Sequence, residues 1–145
     1  MRKNHDKLLV VEDNPDDILL LKRALIKCGV ENPVDIVTDG EKAISYLKDY
    51  VHKSMDPHLA LILMDLKLPG KSGLEILKWL RQESGLKQVP VVMFTCSSES
   101  NDVIEAYNLG ANSYLVKPVS FDSLLVMVKT LVPYWLDFNV RPDLP

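Results

Sequence analysis

No apolar run in this chain is long. The longest, LALILM at 59–64, falls far short of the ~20 residues that a helix needs to span a bilayer. No membrane span is therefore expected. The opening MRKNHDK has no apolar stretch behind it, so no signal peptide is expected either, and the compartment expected is the cytoplasm. Positive charge is also in short supply: 17 Lys and Arg against 20 Asp and Glu leave a net charge of −3. Binding to a phosphate backbone needs a basic face, so nucleic acid is not an expected partner. Cysteine is scarce. Cys28 and Cys96 stand far apart without metal-ligand spacing and are expected to be free thiols of a reducing compartment. His5, His52 and His58 are scattered and form no metal-ligand spacing, nor do they suggest a phosphohistidine-carrying kinase. There is no internal repeat, low-complexity tract or linker.

What is present is enough chain for one domain. With 145 residues, 47% of them apolar, a real core is possible, and two comfortable domains are not. Short apolar runs alternate with helical patterns five times. Strands are predicted at Leu8–Val11, Val34–Val37, Leu59–Met64, Val89–Phe94 and Ser113–Val116. The third is apolar throughout, as a strand covered on both faces should be. Helices are predicted at Asp16–Cys28, Glu41–Tyr50, Ser72–Glu83, Asn101–Leu109 and from Phe121 onward, with VHKSMDPH at 51–58 as a loop. Gly29 and Gly110 are natural helix stops, and Ser120 is a natural cap. Such alternation implies an α/β fold with a parallel sheet and right-handed crossovers.

The stretch LVVEDNPDD, residues 9–17, poses the functional question. A strand that should be buried ends abruptly in acids, and clustered carboxylates raise one another's pKa. Asn14-Pro15-Asp16-Asp17 has a local explanation as a helix start, with a capping Asn, Pro at the first helical position and acids facing the dipole. Each acid stabilises such a terminus by ~0.3–1 kcal/mol. Glu12 and Asp13 are left over. In open parallel sheets ligands bind beyond the carboxyl ends of the strands. Asp65 follows the third strand, Thr95 the fourth, and Lys117-Pro118 the fifth. Three carboxylates, a hydroxyl and an ammonium should then share one edge. Clustered acids call for a hard divalent cation such as Mg²⁺. Asp65 can form an acyl phosphate, and the metal, Lys117 and Thr95 can each hold one phosphoryl oxygen.

These residues resemble the receiver domain of two-component response regulators. The resemblance runs from about residue 6 to 132 and is carried by VVEDNPDD, LILMDLKLPGKSG, VVMFTCSS and SYLVKP in that order. It implies a flavodoxin-like sheet of order 2-1-3-4-5 flanked by five helices, with Asp65 as phosphoacceptor. Glu12, Asp13, Asp65 and the Lys67 backbone carbonyl would form the Mg²⁺ site. Thr95 and Lys117 would sense the phosphoryl group, Tyr114 would be the aromatic switch, and the bond before Pro118 would be cis. It further implies a phosphoacceptor switch that catalyses its own phosphorylation and slow dephosphorylation, with a sensor histidine kinase as partner. The longer loop before the third strand and the ending YWLDF are similar to single-domain regulators of phytochrome-type kinases, which have no output domain.

Two rival chemistries are disfavoured by single positions. A phosphatase of the haloacid dehalogenase type would need a second Asp two residues after Asp65, where Lys67 stands. Gly70-Lys71-Ser72 mimics the end of a phosphate-binding P-loop, but the Gly required five positions earlier is Asp65. A degenerate receiver acting only as a binding module would not need all five site residues. Cys96, after Thr95, is bulkier than the residues usual there, and Lys67 and Ser97 flank the approach to the phosphoryl group. Beyond the core, residues 133–145 carry Tyr134, Trp135, Leu136 and Phe138. An interior proline costs roughly 3 kcal/mol, so Pro133 should either break the last helix near Leu131 or open a further turn. Aromatics are enriched at interface cores, and a homodimer through Tyr134, Trp135 and Phe138 is expected. The alternative is that they fold back over the domain's own edge.

Overall fold

The computed structural model describes residues 5–142. Five strands, β1 (Lys7–Val11), β2 (Val34–Val37), β3 (Leu59–Met64), β4 (Val91–Thr95) and β5 (Ser113–Val116), form one parallel sheet of order β2-β1-β3-β4-β5. The helices are α1 (Pro15–Lys27), α2 (Gly40–His52), α3 (Gly73–Gln82), α4 (Ser100–Asn108) and α5 (Phe121–Pro133), followed by a π-helical turn at Tyr134–Phe138. This is the expected α/β architecture.

Side chains alternate across a strand, and here both faces are covered. Leu8 and Val10 of β1, Leu61 and Leu63 of β3, and Val92 and Phe94 of β4 pack against Leu21, Ala24 and Leu25 of α1 and Leu124, Val128 and Val132 of α5. Leu9, Val11, Ile62, Met64 and Met93 point the other way, against Leu47 of α2, Ile76, Leu77 and Leu80 of α3, and Ala106 of α4. Burying one such side chain stabilises the fold by about 1.5–3 kcal/mol. β3 is buried along its whole length, whereas β2 and β5, at the sheet's edges, are half-buried or exposed.

Local chemistry fixes where the helices begin. The Asn14 side chain accepts the backbone N–H groups of Asp16 and Asp17 at 2.9 and 3.0 Å, with Pro15 at the first position. Ser72 opens α3 through a reciprocal capping box with Glu75. The P-loop mimic is thereby a turn, with Gly70 at φ 76°, leading into a cap. β4 begins two residues later than expected, after Pro90, which has no N–H to give a ladder. The Val89 carbonyl instead accepts Arg81 Nη1 at 2.7 Å. α2 continues two residues beyond Tyr50 and ends just before Ser54 and Met55, both at positive φ.

The chain does not break near Leu131; of the two courses expected, the second holds, and Pro133 opens a further turn. α5 runs through Pro133 and widens into the π-helical turn, closed by Asn139 N–H donating to the Tyr134 carbonyl at 2.7 Å. Pro133 has no N–H to give the helix, and the next one, of Tyr134, donates to the Leu131 carbonyl. Leu136 is fully buried against the α1–α5 core and Trp135 is half-buried on it, while Tyr134 and Phe138 remain 52% and 74% exposed. The tail then crosses to the opposite end of the sheet, where Arg141 Nη2 meets the buried Asp6 carboxylate at 2.5 Å. Part of the aromatic extension thus folds back, and part faces outward.

Candidate functional site

Each strand that reaches the site ends by replacing an apolar residue with a polar one. Glu12 and Asp13 follow β1, Asp65 follows β3, Thr95 closes β4 and Lys117 follows β5. Their strand neighbours are paired in register: Val11 lies beside Met64, and Thr95 beside Val116. The Asp65 N–H donates to the Val11 carbonyl, and the Lys117 N–H to the Thr95 carbonyl at 2.7 Å. The sheet ladder itself carries the functional residues to one edge. They open on a cavity of about 630 Å³ lined by Asp13, Asp17, Asp65, Lys67, Thr95 and Lys117, among others.

Asp65 is buried, and both its carboxylate oxygens are held. Oδ1 accepts the Leu66 N–H at 2.7 Å and Oδ2 accepts Lys117 Nζ at 2.9 Å. Close backing fixes its main chain as well. A Cβ on Gly73, the first residue of α3, would lie 2.0 Å from the Asp65 carbonyl oxygen, so only glycine lets α3 start so near.

Lys117 Nζ also contacts Glu12 Oε1 at 2.6 Å and Asp17 Oδ2 at 2.8 Å. An ammonium has three protons, and here each has a carboxylate. Burial alone would lower the Lys117 pKa, but the bonds to Asp17, Glu12 and Asp65 outweigh it and raise the pKa above the usual lysine range. Burial pushes the Glu12 carboxyl up to about 7, opposed by the Lys117 ammonium and the Asn14 N–H and reinforced by the charge of Asp65.

Glu12, Asp13 and Asp65 each offer an oxygen within 4.8 Å of the others. Three carboxylates so close, two of them buried, have the donor set of a hard divalent cation. Thr95 is buried at the cavity wall. Tyr114 is half-buried against the α2–α3–α4 core, and its hydroxyl donates to the Ser97 carbonyl at 2.9 Å. Ser97 Oγ in turn donates to Asp102 Oδ2 at 2.5 Å.

The structure thus brings together Glu12, Asp13, Asp65, Lys67, Thr95 and Lys117, with Tyr114 reaching the same loop through Ser97. Two points differ from expectation. The Lys117–Pro118 bond is trans; the cis bond among the described residues is Asp56–Pro57. The trans form of an X–Pro bond is the more stable by about 0.5–1 kcal/mol, and Lys117 reaches all three carboxylates with it. Asp17, by contrast, is no mere helix-terminus acid. The capping grammar accounted for it completely, which hid its reach to Lys117.

Residues 8–129 match the response regulator receiver domain family. The chain is 35% identical over 136 residues to the probable methanogenesis regulatory protein FilR2 of Methanothrix harundinacea, covering 93% of this chain and 86% of the relative. It is also 35% identical over 135 residues to response regulator Rcp1 of Synechocystis, covering 93% and 92%. Among solved structures, the phosphorylated cyanobacterial phytochrome response regulator RcpA superposes with a TM-score of 0.86 at 34% identity, over 96% of this chain and 99% of that one. The Mn²⁺-bound form of Rcp1 superposes with a TM-score of 0.83 at 34% identity, over 95% and 99%. An acidic pocket at the carboxyl ends of a 2-1-3-4-5 sheet is what this family is built around. The chain belongs to the response regulator receiver domains of two-component systems.

Proposed function

We propose that Asp65 accepts a phosphoryl group from a phosphohistidine of a sensor kinase. A carboxylate oxygen of Asp65 forms a bond to phosphorus as the bond to the imidazole nitrogen breaks, and the departing imidazole keeps the electron pair. The observation that carries this reading is the Lys117 ammonium, 2.9 Å from Asp65 Oδ2 in a pocket that already holds three convergent carboxylates. Phosphoryl transfer needs positioning and charge neutralisation more than elaborate side-chain chemistry. Lys117 supplies one positive charge. Glu12, Asp13, Asp65 and the Lys67 carbonyl would hold Mg²⁺, which supplies the rest of the neutralisation when bound. The Mn²⁺-bound Rcp1 and the phosphorylated RcpA support both assignments.

Thr95, at the cavity wall, would donate its hydroxyl to a phosphoryl oxygen. Its movement would pull on the following loop, where Ser97 holds the Tyr114 hydroxyl. The expected switch therefore starts from a half-buried Tyr114 already engaged with that loop. The domain acts as a phosphoacceptor switch rather than a turnover enzyme. The domain would signal in the cytoplasm through protein contacts. The likeness to RcpA and Rcp1 supports a kinase of the phytochrome type. The test is labelling with acetyl phosphate and Mg²⁺. Asp65→Asn should abolish labelling while the protein stays folded, and undiminished acid-stable labelling would remove Asp65 from the reaction.

The outward part of the extension supports a homodimer. Tyr134 and Phe138, with Val126 of α5 and Val116 of β5, leave apolar surface exposed on the last helix and its neighbouring strand. A two-fold axis would set each such patch against its mate. Trp135 contributes less than expected, because half of it already covers its own core. Light scattering of the full chain, unphosphorylated and phosphorylated, should give the dimer mass in at least one state. A monomer in both states would dispose of the dimer.

A further inference from the structure

A further carboxylate of the pocket, that of Asp17, has no part in the cation cluster. Glu12, Asp13 and Asp65 form that cluster, and two of them, Glu12 and Asp65, are also partners of Lys117. A divalent cation and an incoming phosphoryl group would both draw on those two carboxylates. Asp17 is the one partner of Lys117 outside that competition. It lies at the lip of the pocket, with its side chain 32% exposed, against 8% for Lys117.

Its placement is built into the fold rather than left to a flexible side chain. The Asn14 N–H donates to Glu12 Oε2 at 3.1 Å, and the Asn14 side chain accepts the Asp17 N–H at 3.0 Å. Asp17 Oδ2 then accepts Lys117 Nζ, whose other protons return to Glu12 and Asp65. The contacts close a ring from β1 through the α1 cap to Lys117 and back. The same helix start that caps α1 therefore also aims the ammonium.

Resting on the reading of Asp65 as phosphoacceptor, we propose that Asp17 is a positioning residue: it tethers the Lys117 ammonium beside Asp65 when Glu12 and Asp65 engage the cation and the phosphoryl group. Asp17 touches neither the phosphoryl group nor the metal and acts only through Lys117. A tether of this kind lowers the reorganisation needed at the moment of transfer.

The test is a double-mutant cycle, which isolates coupling between two residues, read on the rate of phosphorylation by acetyl phosphate at saturating Mg²⁺. Asp17→Ala should slow phosphorylation by about 3–10-fold, the scale of the coupling energies seen between contacting residues. The Mg²⁺ concentration for half-maximal rate should not change, and Asp17→Glu should restore much of the rate. In a Lys117→Ala background, Asp17→Ala should have no further effect. Asp16→Ala controls for the loss of a helix-terminus acid, since Asp16 makes no contact with Lys117, and it should leave the rate unchanged. The proposal is overturned if Asp17→Ala phosphorylates at the wild-type rate, or if its effect persists undiminished without Lys117. Absence of wild-type labelling, or a Lys117→Ala variant as fast as wild type, would instead count against the reading of the pocket itself.

Discussion

Glu12 shows how much one residue's surroundings decide. Its carboxyl sits under the pocket floor, 3% exposed, and burial lifts its pKa from 4.5 to about 7. Between those values the native protein holds a proton that the unfolded chain releases. Stability without metal should therefore fall as pH rises from 4.5 to 7, since the unfolded state binds fewer protons there. Urea titrations in a chelator across that range should show a shallower fall for Glu12→Gln than for wild type, and identical slopes would mean that Glu12 does not titrate there. The pairing of polar residues with strand ends was legible from sequence, because a carboxylate closing an apolar run has few local explanations. Asp17 was not legible, because its local explanation was complete. Four residues after Asp13, it offered only its spacing as a signal.

At the scale of elements, periodicity found all five strands and all five helices, with boundaries displaced by a residue or two where caps and prolines decide. The C-terminal segment was less readable. Pro133 leaves two courses open, a break near Leu131 or a further turn, and tertiary contact decides between them: the core offers a place for Leu136, and the π-helical turn carries it there. Leu136→Ala should then cost about 2–5 kcal/mol, as buried Leu truncations do. Phe138→Ala, three-quarters exposed, should change stability by no more than about 0.5 kcal/mol in the monomer. Urea unfolding at low protein concentration would check the pair. Equal, small effects would show that the π-helical turn does not dock. The Lys117–Pro118 bond was likewise beyond the sequence, because an X–Pro dipeptide has two accessible isomers and its neighbours select one.

Across the whole molecule, the two halves of the core and the pocket divide the work. The α1–α5 and α2–α3–α4 layers clamp a sheet whose central strands have no exposed apolar residue, and that rigidity lets four strand ends hold three carboxylates, a hydroxyl and an ammonium within reach of one another. Among the described residues no helix is long and apolar enough to cross a membrane. The central claim is that this frame aims one carboxylate, Asp65, at phosphorus. The direct measurement is to phosphorylate the wild-type protein with acetyl phosphate and Mg²⁺, reduce the acyl phosphate with borohydride, and map the resulting homoserine by peptide mass spectrometry. The result expected is homoserine at position 65, absent when Mg²⁺ is chelated beforehand. Homoserine at position 13 or 17, or equal modification without Mg²⁺, would contradict the account.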